Sequence, residues 1–113
     1  MAQWKEITTL DDWQELLDTS VDKSVLVFKH STTCPISAKA LKEFQSYLNG
    51  NPDNNTEYVM VKVIESRPVS SQIANDLHVD HKSPQVILIR GKKAVWDTSH
   101  WKVTQDNIRE VLH

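Results

Sequence analysis

The chain has one cysteine, Cys34, among 113 residues. A single thiol excludes an internal disulfide, and with it the stapled scaffolds of small secreted proteins. It fits a reducing compartment, so a cytoplasmic location is expected. Glycine and proline are scarce, at two and four, and nothing reads as a linker, a repeat or a low-complexity tract. No apolar run exceeds four residues, which excludes a membrane-spanning helix. The opening Met-Ala-Gln-Trp-Lys-Glu lacks the apolar stretch of a signal peptide. The formal net charge is −2 and the lysines are scattered, which argues against a nucleic-acid surface. What is present, 39% hydrophobic and 25% charged residues, is the composition of an ordinary globular protein. One domain over 1–113 is expected, long enough for a core without metal or disulfide staples.

The apolar spacing predicts an alternation of helices and strands. Thr9-Leu10-Asp11-Asp12 has capping-box character ahead of Trp13, Leu16 and Leu17, a short amphipathic helix. Val25 to Phe28 is continuous rather than alternating, as in a strand buried on both faces. Pro35 opens a helix carrying Ile36, Ala40, Leu41, Phe44, Tyr47 and Leu48, which ends before the breaker-rich stretch from Asn49 to Asn55. Tyr58 to Ile64 predicts a second strand, and Ser66-Arg67-Pro68 a further helix with Val69, Ile73, Ala74 and Leu77 on one face. Val86 to Ile89 is a third strand. Arg90-Gly91-Lys92-Lys93 turns it into an antiparallel partner at Ala94-Val95-Trp96, and Thr104 caps a last helix with Ile108, Val111 and Leu112. The expected architecture is α/β: a mixed sheet of four to five strands with helices on both faces.

The chemistry concentrates in Phe28-Lys29-His30-Ser31-Thr32-Thr33-Cys34-Pro35-Ile36-Ser37. Proline suits the first helical position, where its missing N–H would have had no partner. Cys34 is therefore the expected N-cap, its sulfur beside the free N–H groups of the first turn. Those donors and the helix dipole favour a thiolate; such surroundings lower a cysteine pKa from about 8.5 to roughly 3.5–7.5. An unpaired cysteine is often only a small buried hydrophobe. The polar loop before Cys34 and the proline after it do not describe a core position.

The order of elements, with Cys34 after the first long strand and Ser83-Pro84 before the third, resembles the thioredoxin fold. Four segments are similar to the monothiol bacilliredoxins (bacilliredoxin C-type, YtxJ-like) of low-GC Gram-positive bacteria. They are Phe28-Lys29-His30-Ser31, Thr33-Cys34-Pro35-Ile36-Ser37, His81-Lys82-Ser83-Pro84-Gln85 and Ser99-His100-Trp101. The resemblance implies an oxidoreductase that removes bacillithiol, a thiol of cysteine, glucosamine and malate, from S-bacillithiolated proteins. It implies bacillithiol as co-substrate, no tightly bound cofactor, and a low-molecular-weight thiol with its reductase as recycling partners. It also implies a cis Pro84 facing the sulfur, with the Ser83 backbone free to pair with an extended disulfide substrate. Dithiol relatives carry a second cysteine three residues after the first; here Ser37 stands there, and a hydroxyl cannot join thiol exchange. Ser37 could still donate a hydrogen bond to the Cys34 thiolate. Thioredoxins keep a buried acid six residues before the first cysteine, where this chain has Phe28.

The expected site is thus Cys34, Ser37 and Pro84 for catalysis, with Thr33, Pro35, Ser83 and His30 meeting substrate. Lys29 and His30, at a strand end, would raise the local positive potential, and one of Lys39, Lys42 or Lys82 would meet the malate carboxylates. His78, His81 and His100 lack the close spacing of zinc sites, and no metal site is expected. His100-Trp101 should fill space near the last helix, and Trp4, Trp13 and Trp96 should pack in or at the core. Two other functions share these features. Monothiol glutaredoxins with the same serine bridge an iron–sulfur cluster between protomers, although their cysteine is followed by glycine and here by the stiffer Pro35. The other is a non-catalytic redox-sensing interaction domain.

Overall fold

The computed structural model describes residues 4–112. A five-stranded sheet runs β1-β3-β2-β4-β5 across its width. The strands are β1 (Lys5–Glu6), β2 (Ser24–His30), β3 (Thr56–Lys62), β4 (Gln85–Arg90) and β5 (Lys93–Ser99). β1 and β2 each pair with β3 in parallel, and β4 lies antiparallel to both β2 and β5. Helices α1 (Leu10–Thr19), α2 (Pro35–Asn49), α3 (Arg67–Leu77) and α4 (Gln105–Leu112) complete the chain.

The alternation of a strand explains how one apolar run serves two cores. On one face of β2, Val25 and Val27 pack with Trp13 and Leu16 of α1 and Val69, Ile73 and Leu77 of α3. On the other, Leu26 and Phe28 pack with Ala40, Phe44, Tyr47 and Leu48 of α2 and Ile108 of α4. The helices thus cover both faces, and β2 is buried along nearly its whole length. Trp13 is buried, donating its indole N–H to Asp76 at 2.8 Å, while Trp4 and Trp96 pack at the core's edge.

Local chemistry sets the boundaries. The Thr9 side chain accepts the Asp12 N–H, and the Asp12 carboxylate accepts the Thr8 N–H, closing the predicted box at α1. Thr104 accepts from Asn107 N–H at 3.1 Å to start α4. Between β4 and β5, Gly91 and Lys92 both have positive φ (59° and 64°), as a two-residue hairpin matching the sheet twist requires. Three expectations need adjusting. β3 lies two residues earlier than Tyr58–Ile64, β5 extends past Trp96 to Ser99, and β1 is an added edge strand. The two exposed residues of β1 carry no apolar pattern that could announce a strand.

Candidate active site

β2 sorts its last two side chains to opposite sides of the sheet. His30 follows Phe28 toward α2 and Lys29 follows Val27 toward α3, so the polar end of one strand supplies two separate networks.

On the α2 side, Ser31 to Cys34 forms a tight turn in which the Cys34 N–H donates to the Ser31 carbonyl at 3.4 Å. Cys34 is extended (φ −104°, ψ 123°) and is the N-cap of α2, with Pro35 in the first turn. Its carbonyl accepts the Ala38 N–H at 3.0 Å. The side chain makes no capping hydrogen bond, and Cys34 as a residue is half-buried, with the exposed Thr33 and Pro35 on either side. The nucleophile candidate is therefore held by backbone and reachable from solvent.

Ser37 is fully buried beneath this turn. Its hydroxyl lies 2.7 Å from His30 Nδ1 and accepts the Ser31 N–H at 2.9 Å. The expected hydrogen bond to the Cys34 sulfur is not among its contacts: two groups at the root of the loop already occupy the oxygen. His30 also departs from expectation. It is 6% exposed and packs tilted against Phe28 at 5.5 Å, so it braces the loop from below and presents little surface to a substrate. Burial, together with Lys62, holds its pKa below the ordinary value against an opposing pull from Glu65. A neutral ring adds no positive potential, and its 2.7 Å hydrogen bond with the Ser37 hydroxyl fixes that group in place. Phe28, where thioredoxins keep an acid, is fully buried and packs on Phe44 at 5.2 Å.

The antiparallel register pairs Lys29 with Gln85, so Ser83-Pro84, just before β4, sits at the same sheet end as the cysteine turn. The Ser83–Pro84 peptide bond is cis. The Pro84 carbonyl accepts the His100 N–H at 2.9 Å. The Ser83 hydroxyl oxygen is buried without a hydrogen-bond partner, an unmet polar group at the edge of the site. Contrary to the packing role expected for His100-Trp101, this short turn is exposed, Trp101 at 64%.

On the α3 side, the environment of Lys29 differs from the solvated strand end expected of it. Its side chain is fully buried rather than solvated at a strand end, and Nζ donates to the Ser70 carbonyl at 3.0 Å. His81 Nδ1 lies 3.4 Å from that ammonium and 3.3 Å from Ser70 Oγ. Burial pushes the Lys29 pKa down to about 8. The visible signal was a lysine within an otherwise apolar strand, but its partners are 41 and 52 residues away. Among the described residues, no three His, Cys, Asp or Glu side chains gather as a metal-ligand set.

A sheet of this order, carrying a half-exposed cysteine at the N-cap of α2 and a cis-proline at the same sheet end, defines a thioredoxin-fold thiol oxidoreductase. Solved structures agree on the fold. A candidate oxidoreductase with a thioredoxin fold is 27% identical with a TM-score of 0.83, covering 96% of this chain and 92% of its own. Thioredoxin from Malassezia sympodialis is 16% identical with a TM-score of 0.77, covering 99% and 90%. Thioredoxin from Fasciola hepatica is 16% identical with a TM-score of 0.74, covering 96% and 95%. Residues 5–108 match the monothiol bacilliredoxin BrxC family, and the chain belongs to it.

Proposed function

We propose that this protein removes bacillithiol from S-bacillithiolated proteins by monothiol exchange in the cytoplasm. The Cys34 thiolate attacks the bacillithiol sulfur of the protein mixed disulfide. The protein sulfur leaves as a thiolate and takes up a proton, and a Cys34–bacillithiol disulfide remains. A second bacillithiol thiolate attacks the bacillithiol sulfur of that adduct. Cys34 is released, and the oxidising equivalents pass to bacillithiol disulfide, the substrate of a separate reductase. No resident cofactor is needed; bacillithiol is the co-substrate.

The observation that carries this reading is the pairing of a half-exposed Cys34 at the head of α2 with a buried Ser37 hydroxyl at the resolving position. With no second cysteine in the chain, the adduct awaits a thiol from outside. The exposed Thr33 and Pro35, on either side of Cys34, give a substrate polar and apolar contacts beside the cysteine. Intact-mass spectrometry after incubation with oxidised bacillithiol and, separately, oxidised glutathione tests the proposal. One adduct, absent from Cys34→Ser and formed preferentially with the first disulfide, is expected. No adduct, or one that persists in the variant, would overturn it. A protein that turns coloured on anaerobic reconstitution with iron and sulfide would favour the cluster-binding function.

A further inference from the structure

We propose that the cleft bounded by Arg67, Ser70, Ser71 and His81 is a subsite for a carboxylate of the small thiol exchanged at Cys34. This inference rests on the exchange chemistry above. The cleft, of about 180 Å³, opens between Val63 and Ile64, just past β3, the first turns of α3, and the loop carrying His81. It neighbours the cysteine turn: the Val63 N–H donates to the His30 carbonyl at 3.0 Å, and Thr32 Oγ1 donates to Glu65 at 3.3 Å.

Its lining combines the apolar Val63 and Ile64 with polar and ionisable groups from Arg67, Ser70, Ser71 and His81. Burial, Lys29 and Arg67 hold the His81 pKa below its ordinary value, so the positive charge is that of Arg67, with the buried Lys29 ammonium 3.4 Å behind His81. Among the described residues, none of the three forms an ion pair; the pairs present involve Lys23, Lys62 and Lys92. The nearby acids are Glu65, which accepts from Thr32, and the exposed Asp80, which lines the adjoining cleft beyond His81. A desolvated ammonium that meets only a carbonyl and an imidazole is costly, and an arriving anion relieves that cost. The Arg67 guanidinium is exposed and offers the forked donors that match a carboxylate. Lys39, Lys42 and Lys82, considered from sequence for the malate group, are exposed, and none of them lines this cleft.

The test compares rates of Cys34 adduct formation, read by intact mass, with oxidised bacillithiol, which is anionic, and cystamine, which is cationic. The wild-type protein is expected to favour oxidised bacillithiol. Arg67→Gln should lower the ratio of the two rates about fivefold, as losing one partly exposed ion pair implies. Arg67→Lys should recover part of it, and added salt should compress it. A ratio that Arg67→Gln leaves unchanged overturns the subsite while leaving the exchange chemistry standing. A Cys34 that forms an adduct with neither disulfide overturns the exchange reading itself.

Discussion

Ser37 shows how one atom decides between two kinds of thiol chemistry. Its oxygen is anchored by His30 Nδ1 and the Ser31 N–H directly under the cysteine turn. A sulfur at that position would lie one helical turn from Cys34, within the first turn of α2. Ser37→Cys should therefore resolve the mixed disulfide internally, yielding a protein that has lost two hydrogens and released its small thiol. Intact mass without added thiol reads this directly; an adduct that persists on the variant would show that geometry, not chemistry, bars resolution. Lys29 gives a second prediction at this scale. Its pKa falls from an ordinary 10.5 to about 8 in the fold, so the unfolded chain holds the proton more tightly. The folded state therefore carries a penalty below pH 8 that fades as pH rises through 8 toward 10.5. Lys29→Met should be more stable than wild type at neutral pH by about 1–3 kcal/mol, as replacing a buried ion with an apolar side chain implies. Denaturant titrations should show that lead shrinking by about pH 9.5, and a lead independent of pH would contradict the buried-cation account. The sequence displayed Cys34, Pro35 and Ser37 as one contiguous motif. It could not display the Lys29–Ser70–His81 contacts, because they join three separate elements.

Among the elements, those with strong local signals were legible. α1 is bounded by a cap that the sequence spells out, and Thr9→Ala should cost about 1 kcal/mol, read as a lower denaturation midpoint with an unchanged slope. A cost near zero would mean that solvent serves the Asp12 N–H equally well. The double burial of β2 followed from its unbroken apolar run, and the paired faces of α2 and α3 from helical spacing. β1 and the outer half of β5 were not legible. Exposed residues held by sheet pairing leave no hydrophobic pattern, and the far end of β5 reads as polar Asp97-Thr98-Ser99. The His100-Trp101 turn failed for a related reason. An aromatic residue suggests burial by type, yet here the backbone N–H of His100 is fixed on Pro84 while the Trp101 ring stays outside.

For the whole molecule, the sheet is a device for bringing two distant loops together. Parallel pairing of β2 with β3 sets the cysteine turn and the start of α3 at one end of the sheet, and antiparallel pairing with β4 brings Ser83-Pro84 to the same end. No helix of the described residues is long and apolar enough to cross a membrane. The central claim is that one sulfur accepts the small thiol and an external thiol must remove it. Quantitative mass spectrometry of the protein mixed with an excess of an S-bacillithiolated protein, with and without free bacillithiol, tests this most directly. Without free bacillithiol, the account predicts one equivalent of substrate released and one adduct on Cys34, with turnover beginning only when the thiol is added. Turnover in its absence, or substrate that stays modified in its presence, would contradict the account.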